Sequence, residues 1–158
     1  MWRAVREGRA PLACGRPGGR WDDGTFDALY TSETREGAIA ERRFHLQQGQ
    51  PLPPSRVRYA LYELAVRLDA VMHFPDLEAL AAVGLDTTSW GRLSYAERAR
   101  EYPRSQDIAE ACAFLGADGI AVPSAREPSS GNLIVFCEQD GVRELVAVRN
   151  QGTLDLLF

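Results

Sequence analysis

The sequence predicts an α+β fold. Strand-like segments outnumber helical ones, two helical segments are well marked, and the two kinds do not alternate regularly as they would in a doubly wound sheet. The chain has 158 residues, 45% hydrophobic and 9% aromatic, enough for one packed core and hardly enough for two, so one domain over residues 1–158 is expected. Neither a repeat nor a low-complexity tract nor a linker divides it.

Trp2 to Val5 reads as a first short strand, followed from Gly8 to Gly24 by a Gly- and Arg-rich loop containing Gly18, Gly19, Arg20 and Trp21. Ala28 to Thr31 is a second short strand. Ser32 to Gly49 reads as a helix: a Ser or Thr can cap its start, Ala, Ile and Leu fill its body, Gly49 can close it, and Pro51, Pro53 and Pro54 forbid its continuation. Arg56 to Leu68 alternates β-branched and aromatic residues at period two, which predicts a long strand. Asp76 to Tyr102 shows no strong pattern and reads as short helices and loops. Asp107 to Leu115 predicts a helix, apolar at Ile108, Ala111, Cys112 and Leu115 and stopped by Gly116. Strands are expected at Gly119 to Val122, Leu133 to Glu138 and Glu144 to Val148, the last two joined as a hairpin through Gln139, Asp140 and Gly141, and again at Thr153 to Phe158.

Charge excludes several functions. The formal net charge is -4, which argues against a general coat for DNA or RNA. No apolar run is long enough to span a bilayer and the start lacks the apolar region of a signal peptide, so a soluble cytoplasmic protein with no membrane contact is expected. Cys14, Cys112 and Cys137 are odd in number and far apart, which argues against a disulfide framework, and with only His45 and His73 as imidazoles no metal site is expected. All 18 basic residues are arginine, so Schiff-base lysine chemistry and a Walker P-loop are excluded. Any phosphate contact must come from guanidinium groups, backbone amides or hydroxyls. Residues 1–60 hold ten arginines against seven acids and residues 61–158 eight against fifteen, so an anionic ligand is expected to meet the first third of the chain.

Glu41 is the most informative single residue. On a helix it shares a face with Gly37, Ala38, Phe44 and His45, whereas Glu36, Arg42 and Arg43 can point elsewhere. It is either a surface glutamate paired with an arginine or a carboxylate at the rim of a cleft, placed to steady a developing positive charge. Arg20 follows two glycines that let backbone approach a ligand; its bland alternative is a solvated loop arginine. Tyr30 lies near a strand end, as site or core residue, and Ser124 follows a buried strand, as ligand contact or turn residue. The pair Asp22 and Asp23 in a Gly-flanked loop is expected to be solvated. A serine hydrolase is disfavoured because no GxSxG elbow is present, and a nuclease using His45 because no second acid–base group stands beside it.

Taken together, GGRW at 18–21, ALYTS at 28–32, the turn from Ala38 to Glu41 and GIAVPSA at 119–125 resemble the RES-domain family, named for its Arg, Glu and Ser residues. Arg20 precedes Tyr30 by ten residues and Tyr30 precedes Glu41 by eleven, and the resemblance runs from WRAV at the start through NLIVF at Asn132 to Phe136; Asp22 stands where the family commonly has Asn. The resemblance implies a fold similar to ADP-ribosyltransferases, with a mixed β-sheet core and flanking helices. It implies the toxin of a bacterial type II toxin–antitoxin pair that consumes NAD+, passing ADP-ribose to water, phosphate or a protein target. The implied partner is an Xre-like helix-turn-helix antitoxin, and the implied site residues are Glu41, Arg20, Tyr30 and Ser124, with Arg3 as an addition. Cleavage between nicotinamide and ribose releases a neutral base from a cationic pyridinium, so no general acid is required and one carboxylate can suffice. The alternative from another class is a non-catalytic nucleotide-binding regulatory module.

Overall fold

The computed structural model describes residues 1–47, 58–94, 97, 100–137 and 144–155. Its elements, in chain order, are β1 (Trp2–Arg6), β2 (Ala28–Ser32), α1 (Arg35–Gln47), β3 (Arg58–Arg67), β4 (Val71–His73), α2 (Leu77–Ala82), α3 (Tyr102–Phe114), β5 (Gly119–Pro123), β6 (Gly131–Phe136) and β7 (Glu144–Asp155). The strands form one mixed sheet in the order β4-β5-β6-β2-β1-β3-β7, in which only the β4–β5 pairing is parallel. This is the expected α+β architecture. Proline-rich residues 51–54, the closing Gly49 and the terminal residues 156–158 lie outside the described residues.

The placement of the site follows from one weak seam. β1 pairs with β3 from Trp2 to Arg6 but meets β2 through a single pair, Trp2 with Ser32. The sheet therefore opens between β1 and β2 into two wings. In the opening, the loop after β1 returns to β2, where Gly15 and Ala28 exchange both backbone hydrogen bonds at 3.1 and 2.8 Å.

Each wing has its own helical cover. Thr34 Oγ1 accepts from Gly37 N at 3.0 Å and starts α1, which lays Ala38 on Ala4 and Leu61 of the β1–β3 wing. On the other wing, Leu80 of α2 and Ile108, Ala109 and Cys112 of α3 pack with Ile120, Val122, Ile134 and Phe136. Strand alternation and register put Ala28, Tyr30, Ser32 and Asn132 on the same sheet face as that core. These residues floor the space between the two helical covers.

Three expectations are corrected. The β6–β7 hairpin does not form: β6 lies between β5 and β2, and β7 pairs with β3, whose alternating pattern takes it as an edge partner from Arg67 back to Arg58. The turn residues 139–141 lie outside the described residues. Thr153 to Asp155 belong to this same long strand rather than to a further one. α3 begins at Tyr102, because Pro103 fits the first helical turn, where its missing N–H is not needed. Its buried stripe is Tyr102, Ser105, Ile108, Ala109 and Cys112, while Ala111 and Leu115 face outward. The short strand β4 has no signal in the sequence because its three residues are all exposed.

The fourth correction concerns the cysteines. Cys14 and Cys137 are joined by a disulfide with Cα atoms 6.4 Å apart, leaving Cys112 as a buried thiol. Separation along the chain misleads here because Gly15 pairs with Ala28 and Ala28 with Phe136, so the residues one step further on meet across the same seam. The bridge links positions 123 residues apart and pins the arginine loop to the end of β6. Reduction, or Cys14→Ser, is expected to lower unfolding free energy by about 2–4 kcal/mol. Urea unfolding with and without dithiothreitol measures this, and coincident curves would contradict it.

No helix among the described residues is long and apolar enough to cross a membrane.

Candidate functional site

The gap between the wings is a cleft of about 650 Å³, within the roughly 300–1,000 Å³ that small-molecule sites occupy. It is bordered by β1, β2, α1, the loop from Arg9 to Trp21, and the segments carrying Trp90, Tyr102 and Arg126. Among its lining residues are six arginines, Arg3, Arg9, Arg16, Arg20, Arg42 and Arg126, and one carboxylate, Glu41. The charge of the lining is thus predominantly positive. Among the described residues no group of three or more His, Cys, Asp or Glu side chains is arranged to hold a metal ion.

The glycine-bearing loop is held from beneath by Asp22. Its fully buried carboxylate accepts from Gly18 N at 2.8 Å, Gly19 N at 2.9 Å and the Tyr30 hydroxyl at 2.6 Å. These donors replace the water that burial removes. The expectation of a solvated acidic pair therefore fails for Asp22, while Asp23 is exposed and bonds only within its own turn, to Thr25. Gly19 is required sterically: a Cβ there would lie 2.7 Å from the Tyr30 hydroxyl oxygen.

Tyr30 borders the cleft with its ring, but its hydroxyl is committed to the loop, donating to Asp22 and accepting from Trp21 N at 3.0 Å. Burial, reinforced by the Asp22 charge, pushes its pKa well above the ordinary tyrosine value, so it stays a donor. From the other side α3 clamps the same loop: Ser105 Oγ lies 2.6 Å from Arg20 O, and Gln106 Nε2 donates to Gly19 O and Asp22 O at 2.8 and 3.1 Å.

Arg20 is buried, not solvated. Its Nη1 lies 2.6 Å from Glu101 Oε1, and both side chains are almost wholly withdrawn from water. The two atoms form no aligned hydrogen bond, so charge attraction holds them. The guanidinium also stacks 4.3 Å from the Trp90 ring centre and 5.3 Å from that of Tyr102, and Trp21 packs against Trp90. Arg20 is thus one wall of the cleft, with much of its charge answered by a carboxylate that sequence reasoning did not single out.

Glu41 projects from α1 into the cleft toward the opposite wing. Its Oε1 accepts from Asn132 Nδ2 at 3.0 Å and from Ser124 Oγ at 3.4 Å. Asn132 is itself oriented, because Ser32 Oγ donates to its Oδ1 at 3.0 Å. No hydrogen bond from a described residue reaches the second carboxylate oxygen, so one oxygen is fixed and the other is open to a ligand. Ser124 is buried and does not line the cleft; its Oγ accepts from Arg126 N and Glu127 N, each at 3.1 Å, as a turn residue. It reaches the site through Glu41.

Arg3 lines the cleft from β1 and donates to Pro11 O at 2.6 Å and Ala13 O at 3.0 Å, drawing the loop across the opening. The structure thus brings Glu41, Arg20, Tyr30 and Arg3 to one cleft and sets Ser124 behind it. It adds Arg42, Arg126, Phe44, Asn132 and Trp90 to the lining. Arg126 lies 3.1 Å from the Phe44 ring centre and donates to Gly91 O at 2.7 Å. Gly91, at φ +72°, approaches Ala125 O so closely that a Cβ would overlap it, which seats Trp90 on this wall. Arg42, expected to point elsewhere, turns inward and donates to Ala4 O at 2.9 Å. The missed residues had little signal, since one sequence gives no means of telling a lining arginine from a solvated one.

The model of the RES domain family matches residues 1–156 of the chain. No curated protein matches it. Among solved structures, a chain in the crystal structure of the M. tuberculosis MbcT–MbcA toxin–antitoxin complex superposes with a TM-score of 0.64 at 22% identity, covering 98% of this chain and 82% of that one. At that identity the likeness concerns the fold.

Proposed function

The chain belongs to the RES-domain family, and from that membership and the geometry of the cleft we propose that it is the toxin of a toxin–antitoxin pair and acts by consuming NAD+. The observation that carries this reading is the lone carboxylate of Glu41, held by Asn132 and Ser124 through one oxygen and without such a bond on the other, in a cleft whose lining also holds six arginines. The bond between the nicotinamide nitrogen and ribose breaks with its electron pair leaving on nicotinamide, which departs neutral. Positive character develops on the sugar, where Glu41 stabilises it and accepts hydrogen bonds from ribose hydroxyls. The arginines attract the diphosphate, and the aromatic wall of Trp90, Tyr102 and Tyr30 suits a flat ring. The acceptor of ADP-ribose is water, phosphate or a protein side chain. The partner is a helix-turn-helix antitoxin of the Xre-like class, a reading supported by the family and by the toxin–antitoxin complex whose fold this chain shares.

Incubation with NAD+ labelled in its ADP-ribose part tests the proposal. Free ADP-ribose identifies hydrolysis, ADP-ribose 1''-phosphate identifies phosphorolysis, and label retained on protein identifies transfer. Protection against heating by NAD+ without release of nicotinamide would overturn it in favour of a binding module.

A further inference from the structure

We infer that Arg42, together with Arg3, forms a phosphate-binding subsite at the β1 end of the cleft. The inference rests on the cleft being the ligand site proposed above, and deepens that reading by assigning the anion to residues other than Arg20. Arg20 already faces Glu101 at 2.6 Å. Arg3 and Arg42 face no carboxylate at such a distance: among the described residues neither forms an ion pair, Arg3 donates to the neutral carbonyls of Pro11 and Ala13, and Arg42 bonds to the Ala4 carbonyl and the Tyr59 side chain.

Their surroundings make this arrangement costly for the empty protein. Among the described residues the buried Arg42 Nε has no hydrogen-bond partner, and the guanidinium lies 5.1 Å from the Tyr59 ring centre. Arg6 repels Arg42, while Glu41 and Tyr59 attract it. Burial, and after it repulsion by Arg42, lowers the Arg3 pKa to about 10, and burial lowers that of Arg42 as well. Two partly desolvated like charges, answered only in part by Glu41, cost free energy that a bound phosphate would return. Guanidinium forks match phosphate oxygens in shape and charge. A structural arginine would be expected beside a carboxylate, as Arg20 is.

The test uses the full chain and the variants Arg42→Gln and Arg42→Lys, with ADP-ribose and inorganic phosphate as probes in thermal-shift and calorimetric titrations. Arg42→Gln is expected to weaken binding of a probe by about ten- to hundredfold, with Arg42→Lys intermediate. The melting temperature of ligand-free Arg42→Gln should equal or exceed the parent's, because a charge answered only in part is removed. An Arg42-dependent loss for ADP-ribose identifies the subsite with the substrate diphosphate; a loss confined to inorganic phosphate identifies it with an acceptor phosphate. Unchanged binding of both probes, or a lowered ligand-free melting temperature with binding retained, overturns the inference. The outcome is separable from that of the functional reading. NAD+ consumption without Arg42 dependence would leave that reading intact, and Arg42-dependent phosphate binding without nicotinamide release would reject catalysis while keeping the subsite.

Discussion

Glu41→Gln is expected to lower NAD+ consumption by about a hundredfold or more, the equivalent of roughly 3 kcal/mol of transition-state stabilisation. The substitution isolates charge from shape. A glutamine can keep its carbonyl oxygen where Glu41 Oε1 accepts from Asn132 and Ser124, and its amide group then occupies the position of the open oxygen. Folding stability is expected to fall by about 1 kcal/mol, since the charge also attracts Arg42 and Arg126, and a urea unfolding curve of the variant shows that a loss of activity reports on the site and not on the fold. Nicotinamide release under saturating NAD+ separates the effects. A fall in kcat places the contribution in the transition state, whereas a rise in KM alone would reduce Glu41 to a ribose-binding residue. Parent-like turnover would remove the carboxylate from the mechanism altogether.

The second large effect is expected at Glu101. Changing it to Gln leaves the Arg20 guanidinium among Trp90 and Tyr102 with no neutralising charge, although both original side chains are under 10% exposed. Removing one member of such a pair costs about 3 kcal/mol or more, because the survivor stays buried. Arg20→Met combined with Glu101→Leu should recover most of that loss, since apolar replacements leave no charge behind. Urea unfolding of Arg20→Met, Glu101→Leu and their combination gives the coupling. Additive losses would mean that the two groups are separately solvated in solution. The same variants test the wall of the cleft, because Ser105 and Gln106 tie the Arg20 loop to the helix that Glu101 precedes.

Much of this was legible along the chain. The period-two pattern of β3 and the cap and apolar body of α1 depend on neighbours a few residues apart, and both elements formed nearly where that pattern puts them. α3 was half legible: its first turn carries a proline and its buried stripe includes Ser105, which bonds to Arg20 O rather than to water. The polar group on an inward face concealed the periodicity. For the site, Glu41, Arg20, Tyr30 and Arg3 line one cleft, while Ser124 lies behind it with its Oγ 3.4 Å from Glu41 Oε1.

Other features had no local trace. Glu101 lies far from Arg20 in sequence, and its burial beside that arginine follows from the loop folding onto α3. Asp22 resembles any loop carboxylate until Gly18, Gly19 and Tyr30 converge on it. Cys14 and Cys137 meet because two strand pairings in succession bring them together. Arg42 and Glu41 are adjacent in the chain, yet they reach opposite wings, since one helical residue turns the side chain by about 100°. Residue type and short-range spacing settle helices, strands and the chemical kinds of group available, because backbone preference and amphipathic period act over a few residues. Strand order, the single Trp2–Ser32 pair that lets the sheet open, and the choice of which charges are neutralised arise only when distant segments pack, because burial and Coulomb energy depend on distance in space.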